Sequence, residues 1–379
     1  MSHKAIATIQ EHFSSVEDPR VEFLVEHNLL EMIVIAICAV ICGANDWVAV
    51  ADWGETKIAW LQQYLKLENG IPTHDTFRRV FLRLKPEQFQ LSFMSWIGAV
   101  FTLTKAQVIA VDGKEMNGSK SKTLGRRAID MVSAWATTNR LVLGQRKVDE
   151  KSNEITAIPA LLKLLELEGC LVTIDAMGCQ REIAEQVVEQ GGDYLLAVKA
   201  NQGHLYQDIE FLFECARRTE FKGIDSDYVE AVSEGHGRRE KRECWIIDDN
   251  EQLDFIRNRD AWTKLQTIVM IRSQRQEGDK ATTEDRYFIS SLRADARQLL
   301  AAKRAHWGIE NQLHWTLDVA FQEDKHQLTL GNGAANFAVL RHIATSLLKQ
   351  EKSAKCGIAN KRLKAAWDEA YLLKVLQPG

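Results

Sequence analysis

Apolar positions in the first hundred residues recur every three to four places, the spacing of a helix with one face turned to a core. Val21 to Cys42 reads as one such helix, stopped at Gly43. Asp46 to Leu67 reads as a second helical stretch, carrying Trp47, Trp53 and Trp60. Asn69-Gly70-Ile71-Pro72 is a turn, after which Thr73-His74-Asp75 can cap a helix to about Leu84. Pro86 opens another helix to about Phe101.

After Thr104 the period shortens. Gln107 to Val111 is a short β-type run ending at Asp112-Gly113. Ala128–Ala136 and Leu141–Val148 pair as strands around a turn at Thr138-Asn139. Asn153–Leu167 reads as a helix, Leu171–Ile174 as a buried strand and Gln180–Gln190 as a helix closed by Gly191-Gly192. Tyr194–Val198 is a strand ending at Lys199. The alternation predicts an α/β fold with a largely parallel sheet preceded by a hairpin. From about 225 to 292 the chain turns polar and β-rich, with strands at Tyr228–Val232, Glu243–Ile247, Thr267–Arg272 and Arg286–Ser290. Helix returns over Ala294–Trp315 and continues to the C-terminus. The predicted organisation is a helical domain over 1–104, then an α/β domain over 105–379 interrupted by a β-rich insertion at about 225–292.

Composition narrows the class without naming a function. The 379 residues are 45% hydrophobic and 26% charged, as expected of a soluble globular protein with a sizeable core. Lys and Arg number 48 against 52 Asp and Glu, a net charge of −4. That balance excludes a histone-like coat for nucleic acid but not an enzyme with local basic patches. The most apolar stretch, Met32 to Ala44, spans 13 residues, short of the roughly 20 a spanning helix needs. It reads as a buried core helix rather than a membrane segment. No secretory leader is evident. The cysteines form no C-x-x-C pair, so a disulfide framework or cysteine zinc site is not expected. Together these point to a reducing, bacterial-type cytoplasm.

Three acids are candidates for chemistry. Asp112 follows Val108-Ile109-Ala110-Val111, and Asp175 follows Leu171-Val172-Thr173-Ile174. Ligands of open α/β sheets bind beyond the carboxyl ends of strands, where two such aspartates can converge. Either one alone reads more readily as a turn or helix cap; it is the pair in the same context that raises the case for a site. Glu310 lies in His306-Trp307-Gly308-Ile309-Glu310-Asn311-Gln312-Leu313-His314-Trp315, with His306, Glu310 and His314 on one helix face and the two tryptophans on adjoining faces able to pack against the sheet. The histidines alone supply too few ligands for zinc. Three carboxylates are hard oxygen donors suited to magnesium or manganese, and two such ions form the clamp used in displacement at phosphorus.

Several runs resemble one bacterial family. They are Cys38-Ala39-Val40-Ile41-Cys42-Gly43-Ala44, Asn69 to Val80 around Gly70-Ile71-Pro72-Thr73-His74-Asp75, Ala110-Val111-Asp112-Gly113-Lys114, and Lys151 to Pro159. Thr173 to Gln180, Ala197 to Gln202, Gly235-His236-Gly237-Arg238 and His306-Trp307 through Asp318-Val319-Ala320-Phe321-Gln322-Glu323-Asp324 complete the set. Over nearly its whole length the chain resembles the H-repeat-associated (Rhs-linked) insertion-sequence transposases of the DDE superfamily. The resemblance implies a ribonuclease H-like catalytic core and makes Asp112, Asp175 and Glu310 a metal-binding triad for Mg2+ or Mn2+, with two ions. It implies DNA cleavage and strand transfer at the ends of an insertion sequence. The 135 residues from Asp175 to Glu310 match an insertion of the kind related transposases carry there. A wider group has Tyr-x2-Arg-x3-Glu-x6-Lys around the last acid. Here those positions are Lys303, His306, Glu310 and Leu317, so only the role of the Glu carries over.

The expected partners are double-stranded DNA, as terminal inverted repeats and target, and further copies of the chain on that DNA, with no membrane. Lys114, Lys120, Lys122, Arg126 and Arg127 form one basic group beside Asp112, with Asn117-Gly118-Ser119 as a mobile loop. His236, Arg238, Arg239, Lys241 and Arg242 form another in the insertion; Lys199 and Asn201 point to the rim beside the three acids, and His306 and Asn311 are further candidates for contact with DNA. Such residues bind phosphate with little base specificity, although charge runs also occur as plain solvated faces. Arg78, Arg79 and Arg83 mark a helix for reading element ends, or simply its wet face. Two rival functions remain: a ribonuclease H-like nuclease without strand transfer, and a non-catalytic DNA-binding descendant of a transposase.

Overall fold

Several helix starts in this chain carry a side-chain cap. Asn28 accepts the amide of Leu30 at 2.8 Å, Asp46 that of Ala49 at 2.9 Å, and Asp295 that of Gln298 at 2.6 Å. Each satisfies an N–H that the first helical turn leaves without a partner. Thr73 caps the next helix through the amide of Thr76, and Pro86 opens the one after it. The computed structural model describes residues 2–101, 104, 107–120, 128–148, 153–235, 238–278, 280–326 and 328–377.

In chain order the helices are α1 Ser2–Phe13, α2 Leu29–Ile41, α3 Trp47–Thr56, α4 Ile58–Leu61, α5 His74–Arg83, α6 Pro86–Val100, α7 Glu154–Leu162, α8 Arg181–Glu189, α9 Gly203–Arg218, α10 Asn250–Leu253, α11 Ala296–Gly308, α12 Trp315–Ala320, α13 Gly333–Gln350, α14 Ile358–Trp367 and α15 Glu369–Leu376. The strands are β1 Val108–Met116, β2 Ile129–Ala136, β3 Leu141–Lys147, β4 Leu171–Ile174, β5 Asp193–Val198, β6 Ser226–Gly235, β7 Arg238–Ile247, β8 Thr267–Glu277 and β9 Lys280–Ser290. This is a mixed α/β chain. It divides into two compact units, one of Met1–Thr104, Gly113–Glu150 and Glu310–Gly379, the other of Lys105–Asp112 and Lys151–Ile309.

In the second unit the strand order is β1-β4-β5-β9-β8-β7-β6. β1 and β4 are parallel, as are β4 and β5; every later pair is antiparallel. The parallel character predicted from the sequence is therefore confined to three strands. The β-rich segment extends the same sheet as two long antiparallel pairs, β6–β7 and β8–β9, as expected for consecutive strands only a few residues apart in sequence. One face of the sheet carries α11, whose Ala296, Leu299, Leu300 and Ala302 pack with Leu171, Leu195, Val269, Ile271 and Phe288.

In the first unit α2 is enclosed on all sides, with Met32 to Ile41 at 0% exposure. The apolar run thus serves a protein core. Among the described residues no helix is long and apolar enough to cross a membrane. Trp47 stacks on Phe81 at 4.6 Å and meets Phe337 edge-on at 4.9 Å. Asn336 of the buried helix α13 donates to the carbonyls of Phe81 and Leu84 and so closes the end of α5. β2 and β3 form an antiparallel hairpin in this unit.

Candidate active site

Strand register sets the first two acids side by side. β1 and β4 run parallel with Ala110 opposite Thr173 and Val111 opposite Ile174, so Asp112 and Asp175 are the next residues on adjacent strands, whose spacing is about 4.8 Å. Alternation puts Asp112 on the face of Ala110, and Asp175 on the face of Thr173. That face is the one covered by α11, because Thr173 Oγ1 lies 3.0 Å from His306 Nδ1. The loop after Asp175 turns back on it: Asp175 Oδ1 accepts the amides of Met177 at 3.1 Å and Gly178 at 3.3 Å. A Cβ on Gly178 would come within 2.3 Å of Ile174, so only glycine fits this turn. Asp175 is therefore both a turn cap and a half-exposed acid at a strand end.

The loop after β5 is tied to this turn. Asn201 donates to the carbonyl of Ala176 at 2.7 Å, and Gln202 to that of Cys179 at 2.8 Å. Asn201 thus spends its amide within the protein. Lys199, just before it, is exposed. His306 is drawn inward by Thr173, and burial holds its pKa below the ordinary histidine value against the opposing pull of Asp175. It acts as a neutral anchor for α11. Trp307 and Trp315 remain 43% and 60% exposed. The expectation that they pack the helix onto a sheet is corrected: small and aliphatic residues of α11 do that, since they allow closer approach.

Glu310 is exposed and stands in a wide π turn, Ile309–His314, inserted between α11 and α12. Such single wide turns often mark functional positions. Asn311, next to it, is exposed as well. Among the described residues no group of three or more His, Cys, Asp or Glu side chains is placed to hold a metal ion. What the structure brings together is the pair Asp112 and Asp175.

The basic groups divide. Lys114 points inward: its ammonium pairs with Glu323 at 2.7 Å and with Asp318, and its side chain is 13% exposed. Despite the cost of burial, these acids raise its pKa. Glu323, 2% exposed, also pairs with Arg341 at 3.2 Å, and Arg341 lies over the Phe337 ring. The Asn117–Ser119 turn is fastened rather than mobile. Ser119 Oγ donates to the Met116 carbonyl and accepts the Ile129 amide, both at 2.7 Å. Lys120 is exposed, while Lys122, Arg126 and Arg127 lie outside the described residues, as does His236. In the insertion Arg238 pairs with Glu277, Arg239 with Glu234, Lys241 with Glu230 and Glu243, and Arg242 with Glu240. Asp318, Glu323, Arg341 and His342 were not marked as site residues by sequence reasoning. The only signal was the run from Asp318 to Asp324 within the family-like segment.

Comparison with known proteins decides the family. The family described as "Transposase DDE domain" matches residues 103–347, and that described as "DDE_Tnp_1-associated" matches residues 10–97. The "H repeat-associated putative transposase YhhI" of Escherichia coli K12 is 42% identical over 97% of this chain and 97% of its own. The "Putative transposase YncI" of Escherichia coli O157:H7 is 39% identical over 98% of this chain and 95% of its own. The chain belongs to the H-repeat-associated DDE transposases. A piggyBac transposase solved as a synaptic complex with hairpin DNA covers 97% of this chain and 78% of its own at 8% identity and a TM-score of 0.41, too distant a likeness to decide the fold. At positions where other transposases place Tyr, Arg and Lys, this one uses its residues internally. Lys303 lies over the Trp307 ring at 5.5 Å, His306 holds Thr173, and Leu317 is buried.

Proposed function

We propose that this transposase cuts phosphodiester bonds at the ends of its element and joins the freed 3′ ends to target DNA, through Asp112, Asp175 and Glu310 on a ribonuclease H-like core. The observation that carries this is the register of β1 and β4, which brings Asp112, midway along β1, level with Asp175, just past the end of β4, on one face of the sheet. Two carboxylates so close repel one another and favour a cation between them. Their oxygens suit Mg2+ or Mn2+, with Glu310 as the third donor. When bound, a pair of such ions supplies charge neutralisation and polarises the phosphodiester oxygens. The protein's own contribution is orientation: the Met177 and Gly178 amides fix one Asp175 oxygen and leave the other for a ligand. Exposed Lys199 and Lys120, with Arg238 and Arg239 released from their acidic partners, hold DNA phosphates. We assign residues 1–104 to recognition of the inverted repeats and 105–379 to the chemistry, carried out in the cytoplasm by copies assembled on paired ends.

The test is Mg2+-dependent cleavage and joining on DNA bearing the element's terminal inverted repeats. Asp112→Ala, Asp175→Ala and Glu310→Ala are each expected to abolish both products, a loss of at least about 10³-fold, with DNA binding retained. Wild-type activity in Asp112→Ala or Glu310→Ala sinks the triad. Hydrolysis without joined product would reduce the protein to a nuclease.

A further inference from the structure

The ion cluster around Lys114 is made from two stretches that flank proposed catalytic acids. Lys114 is two residues beyond Asp112 on β1, while Asp318 on α12 and Glu323 just after it follow Glu310. Lys114 spans them, and Glu323 passes the linkage on to Arg341 of α13. A second fastening joins the same stretches. Asn117 donates its backbone amide to Asp324 at 3.2 Å, and the Leu328 amide donates to the Gly118 carbonyl at 3.2 Å. A Cβ at Gly118 would meet the carbonyl oxygens of Glu323 and His326 at 2.6 Å, so the chains touch backbone to backbone there.

Stability alone does not account for this cluster. Burying ion pairs costs desolvation, and well-packed apolar replacements are often as stable. What charged pairs supply is direction. The segment they hold needs it: α12 has six residues, too few to stand as a helix by itself, and it follows directly on the π turn that carries Glu310.

We propose that Lys114 is a positioning residue, whose pairing with Asp318 and Glu323 fastens α12 and so fixes how the π turn presents Glu310. This rests on the assignment of Glu310 to the metal-binding set. The test compares wild type with Lys114→Met, Asp318→Asn and Lys114→Arg. Hydrogen exchange is followed over residues 309–320, Mn2+ affinity by calorimetry, and cleavage of terminal-repeat DNA by kcat and KM. Asp318 is 39% exposed, so Asp318→Asn keeps the test open if Lys114→Met fails to fold. Expected are faster exchange in that segment, a Mn2+ affinity lower by about 10- to 100-fold, and a fall in kcat with little change in KM. Lys114→Arg should lie between wild type and Lys114→Met. Folded Lys114→Met or Asp318→Asn protein with wild-type exchange and wild-type Mn2+ affinity overturns the proposal. Wild-type protein that neither binds Mn2+ nor cuts the repeats overturns the functional reading instead, and the exchange data still decide whether Lys114 orders the segment.

Discussion

His342 shows how far burial governs a single residue. It is 2% exposed on α13 and borders a small cavity with Lys114, Gln145, His314 and Glu323. Burial pushes its pKa down to about 3, with Lys114, Arg341 and His314 acting in the same direction and Glu323 opposing. His306 and His326 are lowered as well, again chiefly by burial. The unfolded chain takes up protons near pH 6.5 that the folded chain refuses, so these groups' stabilising contribution is complete above about pH 6.5 and is lost as pH falls toward their folded values. Glu351, held at about 2 mainly by hydrogen bonds from Ser353, Tyr371 and backbone amides that outweigh burial, adds its loss only below about pH 4.5. Urea unfolding is therefore expected to give lower stability at pH 5.5 than at 7.5, and a smaller difference in His342→Gln. Equal pH slopes in the two proteins would refute the assignment. Among single residues, the place of Asp175 just past a short buried strand was legible, whereas the strand read as ending at Asp112 continues to Met116 and leaves that acid mid-strand. The inward turn of Lys114 was not, since its partners lie about two hundred residues away in sequence and only folding brings them near.

At the scale of elements, α14 acts through one side chain. The Arg362 guanidinium donates to the carbonyls of Val40 at 2.9 Å and Ala44 at 3.1 Å, to the Asn45 side chain at 2.9 Å and to the carbonyl of Ala320, and it lies 4.1 Å from the Phe321 ring centroid. It thereby closes the C-terminal ends of both α2 and α12. Replacing it with Met strands several buried carbonyls and is expected to cost about 3–5 kcal/mol. Thermal and urea unfolding check this; a loss under about 1 kcal/mol would mean that water replaces the contacts. Elements with a local signal were readable: α5 from Thr73, α6 from Pro86, and β2 and β3 from their alternation and turn. α9 was missed although Leu205, Ile209, Leu212, Phe213 and Ala216 keep helical spacing and face inward. The π turn at Glu310 was not readable, because it adds a residue to a turn without breaking the apolar pattern that marks a helix. Nor were the cross-strand ion pairs of β6–β9, which depend on register.

For the whole molecule, the order of segments matters most. The unit that holds the first 104 residues also takes in Gly113–Glu150 and Glu310–Gly379. In it α13 contributes Phe337 to Trp47 and Asn336 to the end of α5. A fragment of residues 1–104 alone is therefore expected to lose cooperative unfolding, measured by near-ultraviolet circular dichroism and calorimetry. A sharp transition in that fragment would show that its helices suffice. The net charge of −4 also gains meaning at this scale. Many cations are matched to local acids, so under the proposed function contact with DNA would exchange one partner for another rather than fill vacant positive sites. The outer strand β6 has a last consequence. It is the last strand of its sheet and ten residues long, and an edge of that length invites pairing between copies. If two such strands met in the two-fold register centred on Val232, Glu230 of each would oppose Glu234 of the other. Like charges in that arrangement repel, offset in part by Lys241 and Arg239 beside them, so the edge disfavours that one register of self-pairing.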